Sequence, residues 1–455
     1  MRVLVPTSDY YPYQWGGTEV YVHSLTRELM ERGHDITILA SIPMSATEGQ
    51  YSSRVRGKWY TYEKEKIFGV HVEFESKQES HRSRSDELDW FWNDWMGKHQ
   101  FDIVHYHSLS PVASLSLMHA AKQHSLPVVF TYHTPTTCPM GTLMNWKGET
   151  CDGEVIKKRC LRCVIHQGSE SKVLGMLAER VPMLVWQTGT SLVRNSNNKL
   201  GRLGTALQMP TLLELQQQGL REMIDRIDLW HVQSRQIYEV LRKNGVPDRR
   251  LYLLRHGLEN PNLQKPSNGR RLPGSPLRLG YIGRLAQVKG IETLLSAFTQ
   301  VPSDSPVELH IYAEPQDGVQ KEYQKELLQL TQEDTRIHWK GGFKRESLVD
   351  TLSEIDVLVV PSEWVEIGPF TVHEAFAASV PVIGSDLGGI HELVTHEVDG
   401  LLFEMRNTLS LAAQIRRLID EPSLLGHLQE GITPRQSMKD VALQIEKQYY
   451  KLVRR

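Results

Sequence analysis

The chain has 455 residues, 40% of them hydrophobic, with Gly and Pro at ordinary levels and no biased tract, which excludes a disordered or fibrous protein and calls for two cores rather than one. Lys and Arg number 52 against 54 for Asp and Glu, a net charge of -2 that supplies no global field for nucleic acid. The opening lacks the basic start and long apolar core of a signal peptide, and no run reaches the roughly 18 apolar residues of a spanning helix, so a cytoplasmic protein is expected.

In chain order, the run Val3 to Val5 predicts a strand, the spacing of Val20, Leu25, Leu29 and Met30 a helix, and Ile36 to Leu39 a second strand after Gly33. This βαβ opening continues through Phe101 to His105 and Val128 to Tyr132, each after a helical stretch, which predicts a parallel sheet with helices on both faces. Residues 45 to 87 are polar and charged, with Arg54, Arg56, Lys58, Lys64, Lys66, Arg82 and Arg84, and read as a solvated hairpin or mobile loop. Leu88, Phe91, Trp92 and Trp95 share one face at helical spacing, which predicts core packing. The alternative is that this aromatic helix touches a membrane surface or lipid-linked acceptor. Residues 170 to 230 read as a helical elaboration.

The segment 257 to 276 is rich in Gly, Pro, Asn and Ser and reads as a connection. Beyond it Leu279 to Ile282, Glu308 to Tyr312, Ile337 to Trp339, Val357 to Val360 and Val380 to Ile383 alternate with helical segments, repeating the first architecture. The expected division is an N-terminal Rossmann-like domain over 1–257, a linker over 258–276, a second Rossmann-like domain over 277–437 and a helix over 438–455 that packs back towards the first domain. The fold class is α/β with two facing Rossmann-like domains, a Cys-rich insert and a helical elaboration in the N-terminal one.

Three stretches carry chemistry. Gly16 and Gly17 stand just before the first helix, where backbone amides can approach an anion closely. Gly283-Arg284-Leu285 follows a strand, with Lys289-Gly290 next to a helix start, so two cations sit at the mouth of a βα loop where an open sheet binds phosphate. The third is Pro361-Ser362-Glu363-Trp364-Val365-Glu366-Ile367-Gly368-Pro369-Phe370-Thr371-Val372-His373-Glu374-Ala375. Pro369 suits a first helical turn, leaving the amides around Gly368 and Phe370 free, and Glu366 and Glu374 offer carboxylates to sugar hydroxyls.

With these motifs, in order with His133 after the strand ending in Tyr132 and with Ser385-Asp386-Leu387-Gly388-Gly389 and Glu392, the chain resembles the family-four glycosyltransferases of GT-B fold over nearly its whole length. The resemblance implies a retaining transferase that moves a sugar from a nucleoside-diphosphate sugar, held in the cleft between the domains, to a glycan, lipid-linked or small acceptor in surface polysaccharide or glycoconjugate synthesis. It implies that Arg284 and Lys289 contact the donor diphosphate, Glu374 the ribose, and Glu366 with the Gly368, Pro369 and Phe370 backbone the sugar. It also implies that His133 lines the donor sugar, that Gly16 and Gly17 approach the donor and that no divalent metal is required for catalysis. Position 107 also resembles a histidine common in the family. Two segments depart from the pattern: His310-Ile311-Tyr312-Ala313-Glu314, where a glycine-rich turn is frequent, and Arg255-His256-Gly257, where Asn-Gly is common. The rival reading is a non-catalytic, metal-stapled scaffold of the same fold.

All four cysteines, Cys138, Cys151, Cys160 and Cys163, fall within one short segment, separated by 12, 8 and 2 residues, and Cys160-Leu161-Arg162-Cys163 has the spacing of half a zinc knuckle. In a reducing compartment this set predicts a structural zinc, with an iron–sulfur cluster, disulfides or free thiols as alternatives.

Overall fold

The computed structural model describes residues 1–14, 16–74, 84–168, 201–263, 274–315, 318–331, 333–342 and 345–454. The chain divides into two compact units, Met1–Leu254 with Ala442–Arg455, and Arg255–Val441.

The first unit is built on nine strands: β1 (Arg2–Pro6), β2 (Asp35–Ser41), β3 (Gly49–Gln50), β4 (Val55–Tyr62), β5 (Glu65–Val72), β6 (Ile103–Tyr106), β7 (Val128–Thr131), β8 (Leu229–Val232) and β9 (Leu251–Leu253). Their order is β3-β4-β5-β2-β1-β6-β7-β8-β9. From β5 to β9 every pairing is parallel, as buried apolar runs joined by crossover helices require. The helices are α1 (Gly17–Glu31), α2 (Asp86–Lys98), α3 (Leu115–Gln123), α4 (Lys157–Gly168), α5 (Gly201–Arg226) and α6 (Arg235–Lys243). Ser85, Ser114 and Ser234 cap α2, α3 and α6 by accepting backbone N–H bonds.

The charged segment after β2 is a hairpin: β4 and β5 pair antiparallel around Glu63 and Lys64, both at positive φ. In α2 the residues Leu88, Phe91, Trp92 and Trp95 are buried, Trp95 stacking on Phe68 at 5.5 Å, while Trp90 faces solvent. The aromatic helix is therefore a core element. Of the helical elaboration, 201–226 forms α5, and 169–200 lie outside the described residues, as do 264–273 of the connection and Arg82.

The second unit contains β10 (Leu277–Ile282), β11 (Val307–Tyr312), β12 (Ile337–Gly341), β13 (Val357–Val360), β14 (Val382–Ser385) and β15 (Gly400–Phe403), all parallel in the order β12-β11-β10-β13-β14-β15. Its helices are α7 (Ile291–Phe298), α8 (Gly318–Thr331), α9 (Leu348–Ser353), α10 (Phe370–Ala377), α11 (Gly388–Leu393), α12 (Thr408–Asp420) and α13 (Pro422–Gly431). Two apolar clusters cover the two faces, one around Leu279, Phe298, Ile311 and Phe403, the other around Leu358, Val372, Phe376 and Ile390. Strand order reverses between β10 and β13, so the loops leaving their carboxyl ends border the switch-point crevice of an open α/β sheet.

The closing helix α14 (Met438–Val453) carries its last turns in the first unit. There Glu446 bonds Arg32 and His34, and the Tyr449 hydroxyl lies 2.5 Å from His105 Nδ1. Among the described residues no helix is long and apolar enough to cross a membrane.

Candidate active site

The crevice of the second unit is walled by two loops. After β10 the chain passes Gly283, Arg284 and Leu285 into a short 3-10 turn ending at Lys289, and Gly290 caps α7. After β13 it runs through Ser362, Trp364 and Glu366 to Pro369, which caps α10. The loops touch at their backbones. Gly290 has φ +70°, and a Cβ there would lie 1.8 Å from the Pro361 carbonyl oxygen, so the position tolerates only glycine.

This contact brings Lys289 and Glu366 together. Lys289 Nζ donates to Glu366 Oε1 at 2.6 Å, and the same oxygen accepts from Ser362 Oγ and Trp364 Nε1, each at 2.8 Å. Burial pushes the Glu366 carboxyl upward, but the Lys289 charge and the three donors outweigh it and hold the group below its usual range. The backbone of Glu366 is fixed from the other side, its carbonyl accepting from the Gly389 amide at 2.6 Å. A Cβ on Gly389 would stand 2.4 Å from the Ile367 carbonyl oxygen, which gives the Gly388-Gly389 pair its role: it admits the Glu366 loop.

Arg284 is exposed at the crevice mouth, and among the described residues no carboxylate pairs with it. No side chain caps the N-terminus of α10, which opens directly after Gly368 and Pro369. The wall combines an exposed guanidinium, an oriented ammonium and a helix N-terminus that no side chain caps. Cations beside a helix N-terminus are a chemistry that favours anions.

Glu374 lies one turn into α10, fully buried, and forms an ion pair with Arg345. Burial raises its carboxyl above the ordinary value, with Arg345 opposing the shift. Behind it His256 stacks on Phe370 at 4.5 Å, and burial holds the imidazoles of His256 and His373 neutral.

In the first unit His133 follows β7, and its Nε2 lies 3.1 Å from His107 Nδ1. Tyr21 on α1 packs edge-on to the His133 ring at 4.8 Å, which ties the imidazole to the helix opened by Gly16 and Gly17. His107 packs against His105 with ring centroids 4.2 Å apart and planes tilted by 40°, and burial with the neighbouring imidazoles drives both well below the usual histidine range. The residues singled out in the sequence therefore fall into two groups, one in each unit: Gly16, Gly17 and His133 in the first, Arg284, Lys289, Glu366, Gly368, Pro369, Phe370 and Glu374 in the second.

The four cysteines are free thiols. Cys160 and Cys163 lie buried on one face of α4, and the chain from Cys138 to Cys151 forms a small hairpin bridged at Met144 and Thr150. The thiols are close enough to act on one another electrostatically, and the Trp146 backbone hydrogen-bonds the Cys163 sulfur. Among the described residues, however, the group of three or more metal-binding side chains whose ligand atoms all fall within 4.8 Å of one another is Glu308, His310 and His338, not the cysteine quartet.

Sequence reasoning missed Arg345, which comes from a segment with no motif and meets Glu374 only through the fold. It also passed over Ser362 and Trp364, whose signal was their place four and two residues before Glu366.

Two family models match, glycosyl transferases group 1 over residues 265–433 and glycosyltransferase family 4 over residues 15–159. The glycogen synthase of Mycobacterium tuberculosis is 23% identical over 426 residues, covering 93% of this chain and 87% of that protein. An uncharacterized glycosyltransferase of Methanocaldococcus jannaschii is 28% identical over 31% of this chain, and the match spans 35% of that protein. The crystal structure of Anabaena HepE in complex with UDP and glucose superposes with a TM-score of 0.62 at 14% identity, over 99% of this chain and all of that one. With both halves matched in order, the two largely parallel sheets and the crevice loops, the chain belongs to the family-four glycosyltransferases of GT-B fold and is a nucleotide-sugar-dependent glycosyltransferase.

Proposed function

We propose that the protein transfers a hexose, with retention of anomeric configuration, from a nucleoside-diphosphate sugar to a glycan, lipid-linked or small-molecule acceptor during surface polysaccharide or glycoconjugate synthesis on the cytoplasmic side. The observation that carries this reading is the Lys289–Glu366 pair beside the uncapped N-terminus of α10. An ammonium has three donors, so Lys289 can hold Glu366 with one and a phosphate oxygen with another. Cleavage of the sugar to diphosphate bond places negative charge on the leaving oxygen. Lys289, Arg284 and the α10 amides then stabilise it, each charge-assisted bond contributing about 1.5 to 3 kcal/mol. Glu366, kept ionised, accepts hydroxyl hydrogen bonds from the sugar, and Glu374 holds the ribose diol. His133, with Gly16 and Gly17, serves the donor from the acceptor-side domain. HepE was crystallised with UDP and glucose, which makes UDP the first base to try.

The test is a thermal-shift panel of UDP, GDP, ADP, CDP and their sugars on wild type and Lys289→Ala. One nucleoside family should raise the wild-type midpoint, by about 2.7 kcal/mol of stabilisation at a hundred times Kd, and lose that effect in the variant. No shift with any nucleotide, or an equal shift in both proteins, removes the proposed donor site. Retention is read from the anomer of the product by NMR.

We also propose that Cys138, Cys151, Cys160 and Cys163 hold a structural zinc. Support comes from four free thiols, two of them one helical turn apart, and from the Trp146 backbone bond to a sulfur. Bound zinc would order the insert, with no part in the transfer. Zinc analysis of protein purified under reducing conditions tests this: Cys160→Ser should lose one zinc equivalent relative to wild type, and an unchanged stoichiometry in that variant removes the assignment.

A further inference from the structure

A second group of metal-ligating side chains lies far from the crevice loops in sequence and is used by neither proposal. Parallel pairing of β11 with the edge strand β12 sets His310 directly opposite His338. Glu308 stands two residues before His310 and so shares its face of the sheet. The two imidazole rings meet edge-on, with centroids 5.3 Å apart.

The distances between the polar atoms decide what the cluster is for. Glu308 Oε2 lies 3.4 Å from His310 Nε2 and 3.9 Å from His338 Nε2, and one ligand atom from each of the three residues falls within 4.8 Å of the other two. These separations exceed the 2.7 to 3.2 Å or so of a good N–H···O bond, so the carboxylate is poorly used as a plain acceptor for either ring. They are close to those of ligands sharing one ion: bonds of about 2.1 Å in tetrahedral geometry hold ligand atoms about 3.4 Å apart, the Glu308–His310 spacing, and a small side-chain rotation brings His338 in from 3.9 Å. Lys340 on β12, whose charge acts on His310, lies 3.9 Å from Glu354. The His310 side chain is almost wholly buried while Glu308 and His338 are partly exposed, which leaves one side of the cluster open to water.

We propose that Glu308, His310 and His338 bind a divalent transition-metal ion, zinc or a nitrogen- and oxygen-preferring relative such as cobalt or nickel, with a further coordination position open to solvent. Two histidines and one carboxylate suit such ions by donor type. Because the ligands come from two adjacent strands, the ion pins the edge strand β12 to β11 and stabilises the second unit by linkage. The site is independent of the donor crevice and of the cysteine quartet.

The experiment is a cobalt and zinc titration of the full chain, wild type against His338→Gln, Glu308→Gln and Cys160→Ser. His338 and Glu308 are partly exposed, so their substitution leaves the core intact. Wild type should bind a cobalt ion that shows weak ligand-field bands without sulfur-to-cobalt charge transfer, and zinc should raise the unfolding midpoint. His338→Gln and Glu308→Gln should each lose one metal equivalent, those bands and most of the midpoint rise. Cys160→Ser should keep all three, because any charge-transfer band belongs to the thiolates. Equal stoichiometry and an equal zinc-induced shift in wild type and in either histidine-cluster variant would overturn the proposal.

Discussion

Lys289 and Glu366 are 77 residues apart in sequence, yet Nζ donates to Oε1 at 2.6 Å, and the carboxylate is almost fully buried. Removing the ammonium strands a buried charge, so Lys289→Ala should lower stability by about 3 kcal/mol as well as weakening diphosphate binding. Glu366→Gln keeps shape and removes the charge. It should cost less stability than Lys289→Ala while still impairing transfer, and denaturant unfolding alongside kcat/KM for both variants checks the order.

Gly290→Ala places a Cβ 1.8 Å from a carbonyl oxygen at a φ of +70°. The left-handed conformation alone costs about 1 to 2 kcal/mol for an alanine, and the overlap must separate the two loops. Nucleotide affinity should fall more than tenfold, measured by calorimetry. Unchanged affinity would mean that the loop contact has no part in the donor site.

Glu374 is buried against a partly exposed Arg345. Solvent screening of the guanidinium puts the cost of Arg345→Ala at about 1 to 2 kcal/mol, below that of a fully buried pair. In the double variant with Glu374→Gln most of that cost should vanish, since the orphaned charge is gone. A double-mutant cycle by chemical denaturation reads this coupling directly.

His231 in the first unit and His256 in the second are both buried, and burial lowers each from 6.5 to about 3. Their folded pKa is depressed, so they stay neutral in the fold while the unfolded chain takes up protons below 6.5. Stability is therefore present above that value and lost as pH falls beneath it, each group approaching about 1.4 kcal/mol per pH unit. Glu366, also depressed, adds a loss in the same direction at lower pH. Denaturant midpoints at about pH 7.5 and about pH 5.5 should fall for both units, and less for His256→Phe in the second unit if its packing is kept.

Periodicity in the sequence carried most of the strands and the order of their alternation. The runs at Val3 to Val5 and at Val357 to Val360 are wholly apolar because strands buried on both faces cannot alternate. Short strands such as β8, β9 and β15 escaped because a few apolar residues cannot be told from helix or loop by period. The residue types at the donor crevice were also legible, since glycines, a proline and charged groups beside helix starts have local reasons to be there. Their partnerships were not. The Lys289–Glu366 bond, the clasp of Gly389 on the Glu366 backbone, the Arg345–Glu374 pair and the facing of His310 with His338 join residues far apart in the chain. Such contacts are set by strand order and register, which depend on how whole elements bury their apolar faces together. Local composition alone determines the residues available, and only tertiary packing decides which of them meet.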